Sequence, residues 1–162
     1  MDNQTLSIAC TINDRAIRAT IPVRQSLVDF LREGVGLTGS HVGCAHGVCG
    51  ACHVVVDGVV VRGCLILAVQ ADGAEISTIE HAATTSIGAA LQAAFFERAA
   101  LQCGFCTSGM ILQAAELLAQ NPEPSRDEIR AALSGNLCRC TGYHAIVDAV
   151  QMASARLSDI AP

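Results

Sequence analysis

The chain has 162 residues, of which 51% are hydrophobic and 15% are charged, and its formal net charge is −5 at pH 7. That apolar content is enough to bury a core, so we expect a folded globular protein and exclude a disordered one. The negative charge argues against nucleic acid as a partner, because affinity for a phosphate backbone depends on clustered Lys and Arg.

The beginning of the chain gives no indication of export. The segment MDNQTLSIAC has neither the basic region nor the apolar run of a secretory signal, and no stretch reaches the roughly 18 apolar residues of a membrane helix. We therefore expect no membrane span and a cytoplasmic location. The nine cysteines agree with that location, because a reducing compartment keeps thiols free and an odd number fits disulfide pairing poorly.

The first half of the chain has the pattern of a small sheet with one helix. Alternating apolar residues on either side of residues 13–15 predict a hairpin of two short strands. Ser26 is expected to cap a helix that ends at Gly34, and a glycine-rich loop follows. Two runs of valine then flank Asp57-Gly58, a strong signal for a second hairpin. This order of elements predicts a β-grasp fold.

The character of the chain changes near residue 80 to segments rich in Ala and Leu. Their apolar stripes have helical periodicity and run over residues 87–98, 110–118, 129–133 and 146–157. Ser125 and Glu128 form a capping box before the third segment. We therefore predict an α+β protein with two domains, which span residues 1–80 and residues 81–162, the second being all-α.

Eight of the nine cysteines fall into two quartets. The first has the spacing of plant-type 2Fe-2S ferredoxins and consists of Cys44, Cys49, Cys52 and Cys64. The second joins a CxxC pair to a CxC pair and consists of Cys103, Cys106, Cys138 and Cys140. Glycines among the first three cysteines allow the backbone to turn its N–H groups toward sulfur. Two such quartets predict two redox centres, and hence an electron carrier.

Zinc remains an alternative for the second quartet, because two pairs of cysteines are also the ligand set of a zinc knuckle. The first quartet favours iron, since its long CxxxxCxxC loop suits a two-iron core better than a single tetrahedral ion. Cys10 lies in a predicted strand and is expected to be a small buried apolar side chain. His53, which follows Cys52, is expected to point outward from its strand.

Three segments carry a family resemblance. They are GCAHGVCGAC at residues 43–52, LQCGFCTSGM at residues 101–110 and GNLCRCTGY at residues 135–143. In sequence, order and spacing they resemble the small iron-sulfur subunit of the molybdenum hydroxylases, a family that includes xanthine oxidase, aldehyde oxidase and bacterial carbon monoxide dehydrogenase. The resemblance covers nearly the whole chain.

The resemblance implies a plant-type ferredoxin domain followed by a four-helix bundle, each holding one 2Fe-2S cluster. It also implies a large partner subunit with a molybdopterin cofactor and a medium subunit with FAD, or another acceptor in its place. Electrons would enter at the second quartet and leave through the first. In relatives, the residues that match Gln102 and Cys140 also contact the pterin.

We therefore predict the electron-transfer subunit of a molybdenum cofactor-dependent hydroxylase or dehydrogenase. The chain would be part of an oxidoreductase, but the substrate would react on a partner, because no Ser-His-Asp set or convergent pair of carboxylates is apparent in the sequence. Two alternatives stay open at this point. A free-standing ferredoxin would have the same chemistry without a permanent partner, and a structural zinc-binding adaptor would have no redox role.

Overall fold

The computed structural model describes residues 4–159, so the first three and last three positions of the predicted domain ranges lie outside the described residues. A mixed five-stranded sheet is followed by helices, which confirms the predicted α+β class. The strands are β1 (Thr5–Ile12), β2 (Arg15–Pro22), β3 (His53–Val56), β4 (Val59–Arg62) and β5 (Glu75–Ser77). The helices are α1 (Leu27–Asp29), α2 (Ile79–Ala82), α3 (Ser86–Glu97), α4 (Thr107–Gln120), α5 (Arg126–Ala132) and α6 (His144–Ser158).

The strands have the order β2-β1-β5-β3-β4 in the sheet. Both predicted hairpins are present. In the first, β1 pairs antiparallel with β2, and in the second, β3 pairs antiparallel with β4. In the second hairpin, Asp57 and Gly58 have φ values of 50° and 82°, as a two-residue turn of this kind requires. Strand β5 joins the two hairpins, because it runs parallel to β1 and antiparallel to β3. This strand was not predicted.

One face of the sheet is covered by the segment that begins at α1. The Ser26 side chain caps this helix as predicted, since its Oγ accepts a hydrogen bond from the Asp29 N–H at 3.2 Å. After three residues the helix widens into a π-helical turn at Phe30–Gly34. The largest buried side chains of this domain are Ile12, Leu27, Phe30, Leu31 and Ile76. Burying each of them contributes about 1.5–3 kcal/mol.

Four helices, α3 to α6, form the second half of the structure and confirm the predicted helical segments. The capping box at the start of α5 is also confirmed, with the Ser125 N–H donating to the Glu128 carboxylate at 2.7 Å. Arg156 on α6 donates two hydrogen bonds to the Glu97 carboxylate at the end of α3. The core between these helices contains Leu91, Phe95, Met110, Ile129, Leu133 and Ile146.

The bundle packs directly against one edge of the sheet. The Glu116 carboxylate on α4 accepts a hydrogen bond from the Val60 N–H on the edge strand β4, at 2.8 Å. Next to it, the Arg62 guanidinium donates to the Gly135 carbonyl at 3.2 Å. One backbone N–H of the edge strand is therefore paired by the bundle, and the Arg62 side chain adds a second contact between sheet and bundle. Within residues 4–159, no helix is both long and apolar enough to cross a lipid bilayer.

Candidate metal centres

The first cysteine quartet lies at one end of the sheet, in the loop that precedes β3 and in the turn that follows β4. The loop turns sharply at Ala45 and Gly47, where φ is 56° and 81°. As a result, the Cys44 sulfur accepts hydrogen bonds from the N–H groups of Val48 at 3.3 Å and Cys49 at 3.4 Å. This arrangement confirms the prediction that backbone N–H groups point toward sulfur.

A side chain at residue 47 would disrupt this loop. A Cβ there would lie 2.4 Å from a methyl carbon of Leu65, the residue that follows Cys64. The Leu65 side chain is exposed and could rotate away, so the stronger requirement for glycine is the φ of 81°, which other residues rarely adopt, at the turn beside Cys64. The first three cysteines and the fourth are thereby brought to the same place.

Side-chain hydrogen bonds link the thiols of the first quartet in two pairs, Cys44 with Cys49 and Cys52 with Cys64, and Cys52 also interacts electrostatically with Cys49. Hydrogen bonds from the backbone of His46, Cys49 and Val48 lower the pKa of the Cys44 thiol to about 6. Burial raises the pKa of Cys52 to about 11. A buried thiol of this kind ionises readily only when a metal ion supplies the compensating charge.

The second quartet lies at one end of the bundle. Cys103 and Cys106 precede α4, and Cys106 is the N-cap residue of this 14-residue helix. Cys138 and Cys140 lie in the loop before α6. The N-terminal end of α4 carries partial positive charge, which favours thiolates next to it.

This quartet is also arranged in pairs. The sulfur atoms of Cys103 and Cys140 are 3.5 Å apart, and Cys106 is hydrogen-bonded to Cys138. Burial raises the pKa of Cys106 to about 12. Burial also raises the pKa of Cys138, but hydrogen bonds with the Thr141 hydroxyl and N–H, the Cys140 backbone and the Cys106 side chain together outweigh it, so that the pKa is lowered. The Thr141 oxygen lies 3.1 Å from the Cys138 sulfur.

Tyr143 holds the loop of the CxC pair in place, which sequence reasoning did not anticipate. Its hydroxyl accepts a hydrogen bond from the Cys138 N–H at 2.8 Å and donates one to the Asn136 carbonyl at 3.2 Å. Tyr143 adopts a left-handed backbone conformation, with φ of 69°, and its N–H donates to the Thr141 hydroxyl. The one tyrosine of the chain, placed three residues after a CxC pair, was the available signal.

The pairing of the thiols tests which metal group fits these sites. A 2Fe-2S core has two irons, each of which takes two protein ligands, so a quartet divided into two pairs matches it. The donor set and its arrangement therefore fit two 2Fe-2S groups.

The structure brings together the two residues for which the resemblance implied contact with a pterin. The side-chain amide of Gln102 donates a hydrogen bond to the Cys140 carbonyl at 3.1 Å. Both residues are exposed, and so is Cys103. One edge of the second quartet is therefore open to a partner, whereas Cys106 lies deeper.

His53 lies in a different environment from the one predicted. Its exposed fraction is only 2%, so the prediction that it points outward from its strand is wrong. The bundle covers this side of β3, and burial lowers the pKa of the imidazole. Cys10, by contrast, is buried in the core of the sheet as predicted, and burial raises the pKa of its thiol.

Comparisons with known families agree with this geometry. Residues 10–82 match the family described as the 2Fe-2S iron-sulfur cluster binding domain, and residues 78–151 match the family described as the 2Fe-2S binding domain. Over 154 residues, the chain is 47% identical to the nicotine 6-hydroxylase small subunit of Paenarthrobacter nicotinovorans, covering 95% of this chain and 93% of that subunit. The chain belongs to the small iron-sulfur subunits of the molybdenum hydroxylases.

Two further relatives support membership of this family. Caffeine dehydrogenase subunit gamma of Pseudomonas sp. (strain CBB1) is 48% identical over 150 residues, which are 91% of this chain and 90% of that one. The crystal structure of quinoline 2-oxidoreductase from Pseudomonas putida 86 contains a chain with a TM-score of 0.90 and 49% identity, with coverage of 96% and 97%. Both the sequence and the fold of this small subunit are therefore shared along its length.

Family membership settles the class of function. The chain is an electron-transfer subunit of a molybdenum-dependent oxidoreductase, it binds 2Fe-2S clusters, and the molybdopterin cofactor belongs to a large partner subunit. A free-standing ferredoxin and a structural zinc adaptor are accordingly not favoured.

Proposed function

We propose that the two quartets are the ligands of two 2Fe-2S clusters, one in each domain. Cys44 and Cys49 would hold one iron of the first cluster, and Cys52 and Cys64 would hold the other. In the second cluster the pairs are Cys103 with Cys140 and Cys106 with Cys138. The observation that carries this assignment is the pairing of the thiols within each quartet.

When bound, each cluster takes up one electron and passes it on, and the chain determines how readily it does so. The N–H groups of Val48 and Cys49 at Cys44, and the Thr141 groups at Cys138, direct positive charge toward sulfur. These donors stabilise the additional negative charge of the reduced state and raise the reduction potential. The chain therefore acts by positioning the sulfur ligands and by supplying hydrogen bonds to them.

The exposed edge of the second quartet indicates how the subunit is oriented. We assign Gln102 and Cys140 to the contact with the pterin, because their mutual hydrogen bond fixes both at the surface. Electrons then enter next to Cys103 and Cys140 and leave through the first quartet. A medium subunit that carries FAD is the proposed acceptor.

The domain boundary is proposed near residue 80. This position falls in the short helix α2, after the last strand of the sheet and before α3. A cytoplasmic location is proposed on separate grounds. All nine cysteines are unpaired thiols in the structure, and a reducing compartment preserves thiols in that state.

The relatives also suggest a class of substrate for the whole enzyme. Those with 47–49% identity are named for nicotine, caffeine and quinoline, which are all nitrogen heterocycles. The aldehyde oxidoreductases are more distant, at 36–39% identity. A nitrogen heterocycle is therefore the proposed substrate class, and the assembled enzyme should oxidise such rings in preference to aldehydes.

The cluster assignment is tested by cysteine substitution in the chain co-expressed with its large subunit. The unsubstituted protein should contain about four irons and four sulfides per chain and show two electron paramagnetic resonance (EPR) signals on reduction. Cys49→Ser should abolish or alter one signal and Cys106→Ser the other, while Cys10→Ala should retain both. Loss of both signals in Cys10→Ala, or of neither in the two serine variants, would contradict the assignment.

A further inference from the structure

The two proposed cluster sites are separated by an unusually tight junction of backbone. Gly50 lies between Cys49 and Cys52, and Gly109 lies three residues after Cys106 on α4. A Cβ on Gly109 would be 2.1 Å from the Gly50 carbonyl oxygen, and a Cβ on Gly50 would be 2.8 Å from the side chain of Asn136. Only glycine allows these segments to approach so closely.

Asn136 lies in this junction and contacts the ligand loop of the first site. Its side-chain N–H₂ group donates to the His53 Nδ1 at 3.3 Å and makes a longer contact of 3.5 Å with the Gly50 carbonyl oxygen. His53 directly follows Cys52, and Asn136 precedes Cys138 by two residues. One amide therefore links residues adjacent to ligands of both sites.

The Asn136 amide is buried together with the imidazole that it contacts. Asn136 is 1% exposed and His53 is 2% exposed, and the Asn136 Oδ1 is buried without a hydrogen-bond partner among residues 4–159. An apolar side chain would avoid burying this acceptor but would leave the buried His53 Nδ1 without its donor. The N–H₂ group is therefore the part of the side chain that has a partner in the junction.

The state of His53 suits this role. Because Nδ1 accepts the hydrogen bond from Asn136, the proton of the neutral ring is on Nε2. The backbone N–H of His53 also donates to the Gly50 carbonyl at 3.2 Å. Through its backbone and its ring, His53 therefore joins the first ligand loop to the loop before Cys138.

We infer that the hydrogen bond between Asn136 and His53 positions the two cluster sites relative to one another for electron transfer. The inference rests on the proposed function, because it takes both quartets as cluster ligands. The step concerned moves one electron, oxidising the second site and reducing the first, with no bond broken and no proton transferred. Asn136 and His53 are positioning residues, since they contact the ligand loops and do not bind iron themselves.

The test uses the full-length chain co-expressed with its large subunit. Asn136→Leu removes the donor while keeping the branching of the side chain, and His53→Phe removes the acceptor while keeping a ring. Asn13→Gly is the matched control: Asn13 follows β1 and makes two hydrogen bonds to Thr78, which follows β5, and glycine tolerates its φ of 48°. The measurements are iron and sulfide content and the magnetic coupling between the two reduced clusters, from EPR splitting and spin relaxation.

Both junction variants should keep two clusters but should no longer show the magnetic coupling of the unsubstituted protein, because that coupling depends steeply on distance and orientation. The control variant Asn13→Gly should keep both the clusters and the coupling. Unchanged coupling in Asn136→Leu or His53→Phe with both clusters present would overturn the inference. If Asn136→Leu loses a cluster, the magnetic coupling measured in His53→Phe tests the inference in its place. Loss of a cluster in both variants would overturn a positioning role. A single signal in the unsubstituted complex would instead remove the two-cluster assignment, and this inference with it.

Discussion

The Leu137 N–H donates a hydrogen bond to the Cys49 carbonyl oxygen at 2.9 Å. Cys49 belongs to the first cysteine quartet, and Leu137 directly precedes Cys138 of the second. The two ligand loops are therefore joined by their backbones as well as by side chains. This contact connects a cysteine of the first quartet to the residue next to a cysteine of the second.

Replacing Leu137 with proline removes this donor. The Asn136 backbone, with φ of −115° and ψ of 115°, already has the extended conformation that a residue before proline adopts. Because the Asn136 backbone need not change, the main effect should be that the Cys49 carbonyl is left unpaired, which should lower the free energy of unfolding by about 1–3 kcal/mol. Chemical unfolding measures the loss. Leu137→Ala is the control, since it keeps the N–H and its side chain is 52% exposed; equal losses in the two variants would contradict the prediction.

Thr141→Val tests the hydrogen bond to the Cys138 sulfur. With Cys138 as a thiolate ligand, the Thr141 hydroxyl donates across 3.1 Å and stabilises the reduced state. Its removal should lower the reduction potential of the second cluster by a few tens of millivolts. A potentiometric titration followed by EPR measures the shift. Thr141→Ser keeps the hydroxyl and should keep the potential, and an unchanged potential in the valine variant would refute the prediction.

The Glu116 carboxylate is predicted to stabilise the contact between sheet and bundle. Glu116→Ala leaves the Val60 N–H without its acceptor at 2.8 Å and should reduce the free energy of unfolding by about 1–2 kcal/mol. Glu116→Gln keeps an oxygen at the same position and should lose less. Thermal unfolding of the two variants provides the comparison, and the same loss in both would show that the hydrogen bond to Val60 is not responsible.

The ion pair between Glu97 and Arg156 should make a small, pH-dependent contribution. Hydrogen bonds from Arg156 lower the pKa of Glu97 in the folded protein. The contribution is therefore complete above the unfolded-state pKa of about 4.3 and is lost as the pH falls through the lower folded-state value. Glu97→Gln should lower the melting temperature slightly at neutral pH and progressively less toward acid. Added salt should also diminish the difference, because the pair is at the surface. A difference that grows as the pH falls would contradict this.

Local signals in the sequence predicted most of the fold. The Asp57-Gly58 turn, the Ser26 cap and the capping box at Ser125 are all determined by residues within a few positions of one another. Strand β5 has no such signal, because it is three residues long and exists through pairing with strands that are distant in the chain. The π-helical turn after α1 was missed for a similar reason, since its apolar periodicity resembles that of an ordinary helix.

The cysteine quartets were predictable from their spacing in the sequence, but the residues that lie between the two quartets in space were not. Asn136 and His53 are 83 positions apart, and neither periodicity nor turn chemistry relates them. Gly109 was the one accessible indication. Glycine inside a helix costs about 1 kcal/mol relative to alanine, so its presence in the first turns of α4 indicates that another segment packs closely there.

The junction formed by Gly50, Gly109 and the Leu137 N–H is made largely of main chain. Backbone contacts of this kind hold the two ligand loops at close range, and within that range the inferred hydrogen bond between Asn136 and His53 aligns the two sites. The spacing of the redox sites is therefore a property of this subunit's own fold.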